Sequence, residues 1–436
     1  MRNIRCSAVS AFVVLSITAA LPALAQNTIA ITGGRVLTIS HGVIENGTVL
    51  VEDGKIAAVG RDVKVPRGAQ VIDARGKVVM PGLFDAGDKL GTVEIPALQI
   101  TVDSTEYTDP VQPQLRVLDA LNPGSENILV NRAAGVTNSL STPADGNLIG
   151  GQSAVIQLDG DTVDAMVVKS PAALHISLGE ASKTTYGEKD RAPGTRMGEM
   201  AMLRQEFLKA QHYRGVQDAY AQKQSGGKDD KPSAPPARDL KMDAMVAALE
   251  GKIPVVAHAD RVSDIESALR LADEFHFRLI LGDAAGAWRI AGQLAARKIP
   301  VIIGPILEEP GRMESVDVRL DNAARLYQAG VPIAIQTSAD NEVRNLPFEV
   351  EYAISYGLPE DAALQALTLN PARFFGVDNL LGSIDEGKDA NLIVLDGTPF
   401  RVKTHVVTEL IDGKVVDLSN HQTRLYEFYK KKYGIQ

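Results

Sequence analysis

A parallel sheet closed into a barrel, with a smaller β unit assembled from both ends of the chain, is the architecture the sequence predicts. The middle of the chain alternates apolar strand-like runs with amphipathic helical runs, which is the pattern of repeated strand–helix–strand units. Short alternating β runs separated by glycine turns occur before that region and return after it. Finally, 436 residues exceed one ordinary domain but suit a barrel with a satellite. An open doubly wound sheet is the alternative, and it is disfavoured because no glycine-rich phosphate loop follows a first strand.

Taken in order, residues 1–25 read as an export signal. Arg2 and Arg5 precede an uncharged apolar run, and Ala23-Leu24-Ala25 supplies a small-residue cleavage site. The run is broken by Ser16, Thr18 and Pro22, so a membrane anchor is the weaker reading. Residues 26–80 carry IAITGGRVLTIS, GTVLVEDGKIAAVG and AQVIDARGKVVM, a series of β runs, and 376–420 repeat the rhythm in LGSIDEGKDANLIVLDG and VTELIDGKVV. Each segment alone has exposed edges and little to bury, so the two are expected to pair. Residues 81–375 form the barrel region, with strand candidates GVTNSLST, SAVIQLDG, AMVVKS, PVVAH, RLILG, PVIIGP and PIAIQTS. A long helix from Met197 to about Gln224 precedes a polar, Gly- and Pro-rich insertion at 225–239, and residues 421–436 are expected to be a helical tail.

Charge and composition exclude several function classes. The chain has 45 basic and 54 acidic residues, a net charge of −9, and no basic stripe that would invite nucleic acid. Its single cysteine, Cys6, lies within the signal, which leaves the mature chain no disulfide and no thiol nucleophile. There is no GxSxG elbow, nucleotide loop or HExxH pair among the seven histidines. A periplasmic or secreted protein that does not cross a membrane after signal cleavage is expected.

In GGRVLT, GTVLVEDGKIAAVG, VIDARGKVVMPGLFDA, PVVAHADR, LAARKIPVIIGP and LTLNPARFFGVDNLLGSIDEGKDANLIVLDGTPF, in that order, the chain resembles the amidohydrolase superfamily, in particular its imidazolonepropionase-like and prolidase-like exported members. The resemblance covers nearly the whole mature chain. It implies a distorted (β/α)8 TIM-type barrel, a composite β-sandwich from both chain ends, and hydrolysis of C–N bonds by a metal-activated water.

The same resemblance makes one departure visible. The family's first motif, PGLIDxHxH, pairs two imidazoles on alternate positions of the first barrel strand, where both can face one metal. Here those positions are Gly87 and Lys89, one without a donor and one bearing a positive charge. Asp85, Asp88 and Glu94 are the nearby oxygen substitutes, and Asp85 reads as structural. His258, at the end of PVVAH, is implied as a metal histidine. Asp283, after RLILG, is either a further ligand or a helix cap. The last barrel strand should deliver the aspartate that handles the water proton. The commonest alignment puts it at Ser338, and Asp340 is the carboxylate at hand. Arg344 is the candidate for holding a substrate carboxylate. Lys169 is the candidate for the carboxylated lysine some members use to bridge two metals.

The expected function is hydrolysis of an amide, dipeptide-like or cyclic C–N bond in a small-molecule substrate. It would use a reduced site holding one divalent metal, zinc by preference, with His258, Asp340 and Asp283 as ligands and His258 and Asp340 as the catalytic pair. The alternative is a catalytically silent barrel without metal, binding a ligand or partnering an intact paralogue. Either a homo-oligomer or a heteromer with that paralogue is compatible with the sequence.

Overall fold

The computed structural model describes residues 28–225 and 234–435. The expected signal, and most of the expected insertion at 225–239, lie outside the described residues. No helix among those described is long and apolar enough to cross a membrane.

The first five strands are β1 (Thr28–Leu37), β2 (Val43–Glu52), β3 (Lys55–Gly60), β4 (Gln70–Asp73) and β5 (Val78–Pro81). Ten more follow: β6 (Leu83–Asp88), β7 (Val136–Ser141), β8 (Ile149–Gln152), β9 (Ala154–Gln157), β10 (Val167–Lys169), β11 (Leu174–Ser177), β12 (Val255–His258), β13 (Leu279–Gly282), β14 (Val301–Ile303) and β15 (Ile333–Ile335). The last three are β16 (Leu392–Leu395), β17 (Val406–Ile411) and β18 (Lys414–Val415).

Both chain ends enter one eight-stranded sheet of order β18-β17-β16-β5-β1-β2-β3, with β4 paired to β1. The seam between the ends is antiparallel, Pro81 opposite Leu392 and Val78 opposite Leu395. Its core of Ile29, Ile31, Val49, Ile56, Val79, Leu392 and Leu410 draws on both ends, because neither set alone presents enough apolar surface. By hydrogen bonding this is one continuous sheet, where a two-sheet sandwich was expected.

In the middle region, parallel strands β11 to β15 lie side by side and β6 pairs in parallel with β7, as the alternation predicts. The single closed sheet does not appear. The strands form one sheet of four (β10-β9-β7-β6) and one of six (β15-β14-β13-β12-β11-β8). Two features explain the gaps. Consecutive strands β8 and β9 belong to different sheets: β8 lies antiparallel on β11 and β9 antiparallel on β7, so one bent run joins the sheets where β7 would meet β11. On the other side β15 is only three residues long. Beyond it, single backbone bonds from Ser338 N to Gly87 O and from Lys89 N to Ala339 O bridge to β6. Ser338 is in the left-handed conformation (φ 54°), which stops the ladder there.

Glu409 on β17 is fully buried, and neither of its carboxyl oxygens has a hydrogen-bond partner among the described residues. Burial pushes its pKa well above the usual carboxylate range, and the nearby Arg132 opposes this only partly. A carboxyl raised in this way contributes its full stability below the unfolded value near 4.5 and loses it as pH climbs toward the folded value. Glu409→Met is therefore expected to stabilise the protein by about 1–3 kcal/mol at pH 8. The gain should shrink as pH falls to 5. Thermal melts of both proteins across that range check this, and a gap independent of pH would contradict it.

Candidate metal centre at the strand ends

The site is built where the parallel strands end. β12 delivers His258 as its last residue, and in the parallel register His258 lies opposite Gly282 on one side and Ser177 on the other. Gly282 is small for a reason: a Cβ there would come within 3.0 Å of His258 Nδ1. Immediately after it, Asp283 and Ala284 adopt left-handed backbone (φ 62° and 55°), a conformation that costs energy in most residues and concentrates at functional sites. The turn aims the Asp283 carboxylate back at the imidazole, with Oδ2 3.1 Å from His258 Nδ1. Asp145, on the loop after β7, brings Oδ1 to 3.7 Å from the same nitrogen. Ligand atoms of Asp145, His258 and Asp283 all lie within 4.8 Å of one another.

Burial works against a charged His258, but the carboxylates of Asp283 and Asp145 overcome it and carry the imidazole up to about 9. Burial likewise raises Asp283, yet the adjacent imidazolium and its hydrogen bond hold the acid below its ordinary value. On the far side of the ring, His258 Nε2 is 3.0 Å from Nδ1 of His175, and the two rings stack at 5.3 Å between centroids. Burial and the charge of His258 hold His175 well below its usual pKa, so it is neutral. A charged His258 therefore donates from Nε2 to His175 Nδ1, which places the His175 proton on Nε2, a buried atom with no hydrogen-bond partner among the described residues. Asp260, two residues beyond His258, is raised to about 7 by burial and by the charge of Asp283. It lines a small cavity of about 20 Å3 together with Asp283 and Glu308. Arg312 approaches Asp260 at 3.6 Å.

Opposite this cluster is the strand end that departs from the HxH pattern. Gly87 is more than an absent donor. A Cβ there would sit 2.3 Å from Gln336 Oε1, so Gln336 occupies the space a side chain would need. Gln336 is buried and donates from Nε2 to Asp283 Oδ1 at 2.7 Å and to Gly304 O at 3.2 Å. Lys89 reaches across to the end of β15, where its ammonium donates to the carbonyl (2.9 Å) and hydroxyl (3.3 Å) of Ser338. A cation on one strand end thus meets oxygen acceptors at the position where the family aspartate was expected.

Asp85 accepts hydrogen bonds from Gly87 N and from the amide and hydroxyl of Thr337, which ties β6 to the end of β15. Asp88 accepts from Ser139 Oγ and Leu90 N. Burial pushes both acids up. Their oxygens are committed to protein donors, and neither belongs to the cluster.

Of the residues singled out from sequence, His258 and Asp283 come together. Asp340 lies outside the cluster: the left-handed Ser338 turns the chain away, and Asp340 Oδ1 caps that turn by accepting from Asn341 N. Arg344 also lies apart. Its backbone amide donates to Asn131 Oδ1, its guanidinium donates to the Asn341 carbonyl, and it lines a separate apolar cavity of about 540 Å3 whose walls include no cluster residue. Lys169 ends the antiparallel strand β10, and its ammonium donates to Phe375 O at 2.6 Å, which uses the amine as a cation. Glu94 accepts from the Asn122 side chain. Sequence reading did not find Asp145, His175 or Asp260. Parity along HAD could have found Asp260, since alternate residues of a strand share a face, whereas Asp145 sits in a loop with no period.

An imidazole and two carboxylates gathered at the ends of parallel strands lie at the face where α/β folds of this kind place their chemistry. Residues 230–419 match the amidohydrolase family model. The chain is 35% identical to an amidohydrolase of known structure from Thermotoga maritima MSB8, with a TM-score of 0.82 over 89% of this chain and 99% of that one. A prolidase solved with N-methylphosphonate-L-proline has the same general fold (TM-score 0.55, 18% identity, 89% and 99% coverage). Among curated relatives, the amidohydrolase tasK of Hapsidospora irregularis is 29% identical over 400 residues, 84% of this chain. The chain spans only 39% of that protein's length. An imidazolonepropionase of Geobacillus kaustophilus is 24% identical over 86% of this chain and 91% of its own. This chain belongs to the amidohydrolase family.

Proposed function

We propose that the protein hydrolyses a C–N bond of a small amide, dipeptide-like or cyclic substrate, using a site reduced to a single divalent metal. The observation that carries this reading is the cluster of Asp145, His258 and Asp283. The spacings of 3.1 and 3.7 Å about His258 Nδ1 match the edges of a tetrahedron of N and O donors with bonds of about 2.1 Å, roughly 3.4 Å. The donor chemistry fits zinc or a comparable ion. His175 fixes the orientation of His258 through Nε2, the kind of outer partner that metal-binding imidazoles carry.

Asp145, His258 and Asp283 would hold the ion, and it would supply Lewis acidity to the scissile group. The chain's own residues supply the rest. Asp260, which shares the small cavity with Asp283, is the carboxyl placed to take up and return a proton. Arg312, beside Asp260, takes the substrate-orienting part expected of Arg344. Lys89, held on Ser338, puts a positive charge on the strand end that lacks the imidazole pair, which would disfavour a second ion there. Export to the periplasm or outside the cell, and assembly with further copies or with an intact paralogue, remain part of this proposal on the sequence grounds above.

The packing of Gln336 into the space above Gly87 favours a second reading, in which the barrel is silent and kept for ligand recognition. Plasma-emission analysis of dialysed protein, alongside a screen of dipeptides, acyl amino acids and cyclic amides, separates the two. One metal per chain with metal-dependent turnover is expected. Two metals per chain would overturn the single-ion site, and no metal with no turnover would favour the silent barrel.

A further inference from the structure

We infer that the C-terminal helix docks the protein on an anionic lipid surface. The helix His421–Tyr433 is capped by Asn420, which accepts from Thr423 N while Thr423 returns a bond to the cap, and Arg424 approaches Glu126 on the body at 3.5 Å. Beyond that anchoring, no residue of the helix is buried. A helix of thirteen residues, none of them buried among the described residues, is marginal by itself in water. Its apolar groups are also large: Tyr426, Phe428 and Tyr433 are 62%, 59% and 66% exposed, and Leu425 and Tyr429 are exposed beside them.

The arrangement is that of an interfacial helix. At 100° per residue, Phe428, Leu425, Tyr429, Tyr433 and Tyr426 fall on one arc, while Lys430, Lys431, Arg424 and Glu427 occupy the opposite one. Tyrosines of this kind suit a headgroup boundary, where the ring is apolar and the hydroxyl wet. Lys432 lies within the aromatic arc, its ammonium 5.7 Å from the Tyr429 ring and 5.6 Å from that of Tyr433. Asn420 and Thr423, on the side of the helix away from the aromatic arc, help to line the 540 Å3 cavity, so the arc itself faces outward.

Charge selects the partner. A chain of net charge −9 concentrates four cations and one carboxylate in this helix, and of these Arg424 is paired with Glu126 while the three lysines cluster at its end. A second copy docked on the aromatic arc would set Lys432 against its counterpart, whereas an anionic leaflet attracts Lys432 and the lysines that flank the arc.

The test is co-sedimentation of the intact chain with vesicles of phosphatidylcholine alone or mixed with about one-third phosphatidylglycerol. Binding to the anionic vesicles only is expected. Each lysine near such a surface is worth about fivefold in partition, so Lys430→Gln, Lys431→Gln and Lys432→Gln together should weaken it about 100-fold. Phe428→Ser with Tyr429→Ser should weaken it too. Unchanged thermal melts would show that the body is intact in both variants. Equal partition to the two vesicle types, or none, would overturn the proposal. So would a lipid-free dimer in sedimentation equilibrium that Phe428→Ser with Tyr429→Ser dissolves, since a second copy would then be the occupant.

Discussion

His258→Ala is expected to lower kcat/KM by at least about 10^3-fold on any amide the protein turns over, and to abolish stoichiometric metal binding. The substitution removes the only nitrogen donor of the cluster and leaves Asp283 and Asp145 facing each other with no cation between them. In the metal-free protein it also breaks a buried ion pair by deleting one partner, which costs about 3–5 kcal/mol. His175, neutral and buried, cannot take over, because its ring lies behind His258 and not beside the carboxylates. Metal content, melting temperature and turnover should fall together. A variant that keeps its metal while losing activity would show that the ion sits elsewhere and that His258 acts on substrate directly.

The second large effect concerns restoring the missing imidazoles. Gly87→His with Lys89→His should lower stability by about 1–3 kcal/mol and gain no metal, because the new Cβ at position 87 collides with the Gln336 amide. Adding Gln336→Ala should reverse both results. It clears the space and also frees Asp283 Oδ1 from the Gln336 amide, so a second metal equivalent is expected in the triple variant only. Emission analysis and melts on the three proteins read this directly. A double variant that binds a second metal without Gln336→Ala would mean that the amide swings away at little cost, and that Lys89 alone keeps the site reduced.

How much of this was legible beforehand depended on how local the signal was. His258 and Asp283 end regular strands, so apolar runs pointed to their places. Composite pairing of the chain ends was legible because each β segment alone had too little to bury. His175 was not placed, because β11 is only four residues long and Gly179 cuts its apolar run short. The stretch SAVIQLDG was read as one more barrel strand. Its neighbour in sequence pairs with a different sheet, and partner choice is a long-range outcome that periodicity does not encode. Asp340 and Arg344 lie outside the cluster for a related reason: a left-handed serine redirects the chain after β15, and only tertiary contacts explain why a serine accepts that conformation. Gln336 drew no notice because its role is to fill a volume, and volumes are invisible until the strands are assembled.

The seam between β5 and β16 has a consequence for how the molecule is made. Pro81 waits for Leu392, about 310 residues downstream, before its edge is paired. At about 5–20 residues per second a ribosome needs roughly 15–60 s to supply that partner. During this interval β1, β2 and β3 can zip up locally, but β5 presents open amides and carbonyls to whatever is near. A nascent chain of this protein is therefore most vulnerable to aggregation after its first strands emerge and before its last ones do. A chaperone that shields one short edge for about a minute would meet the whole of that need.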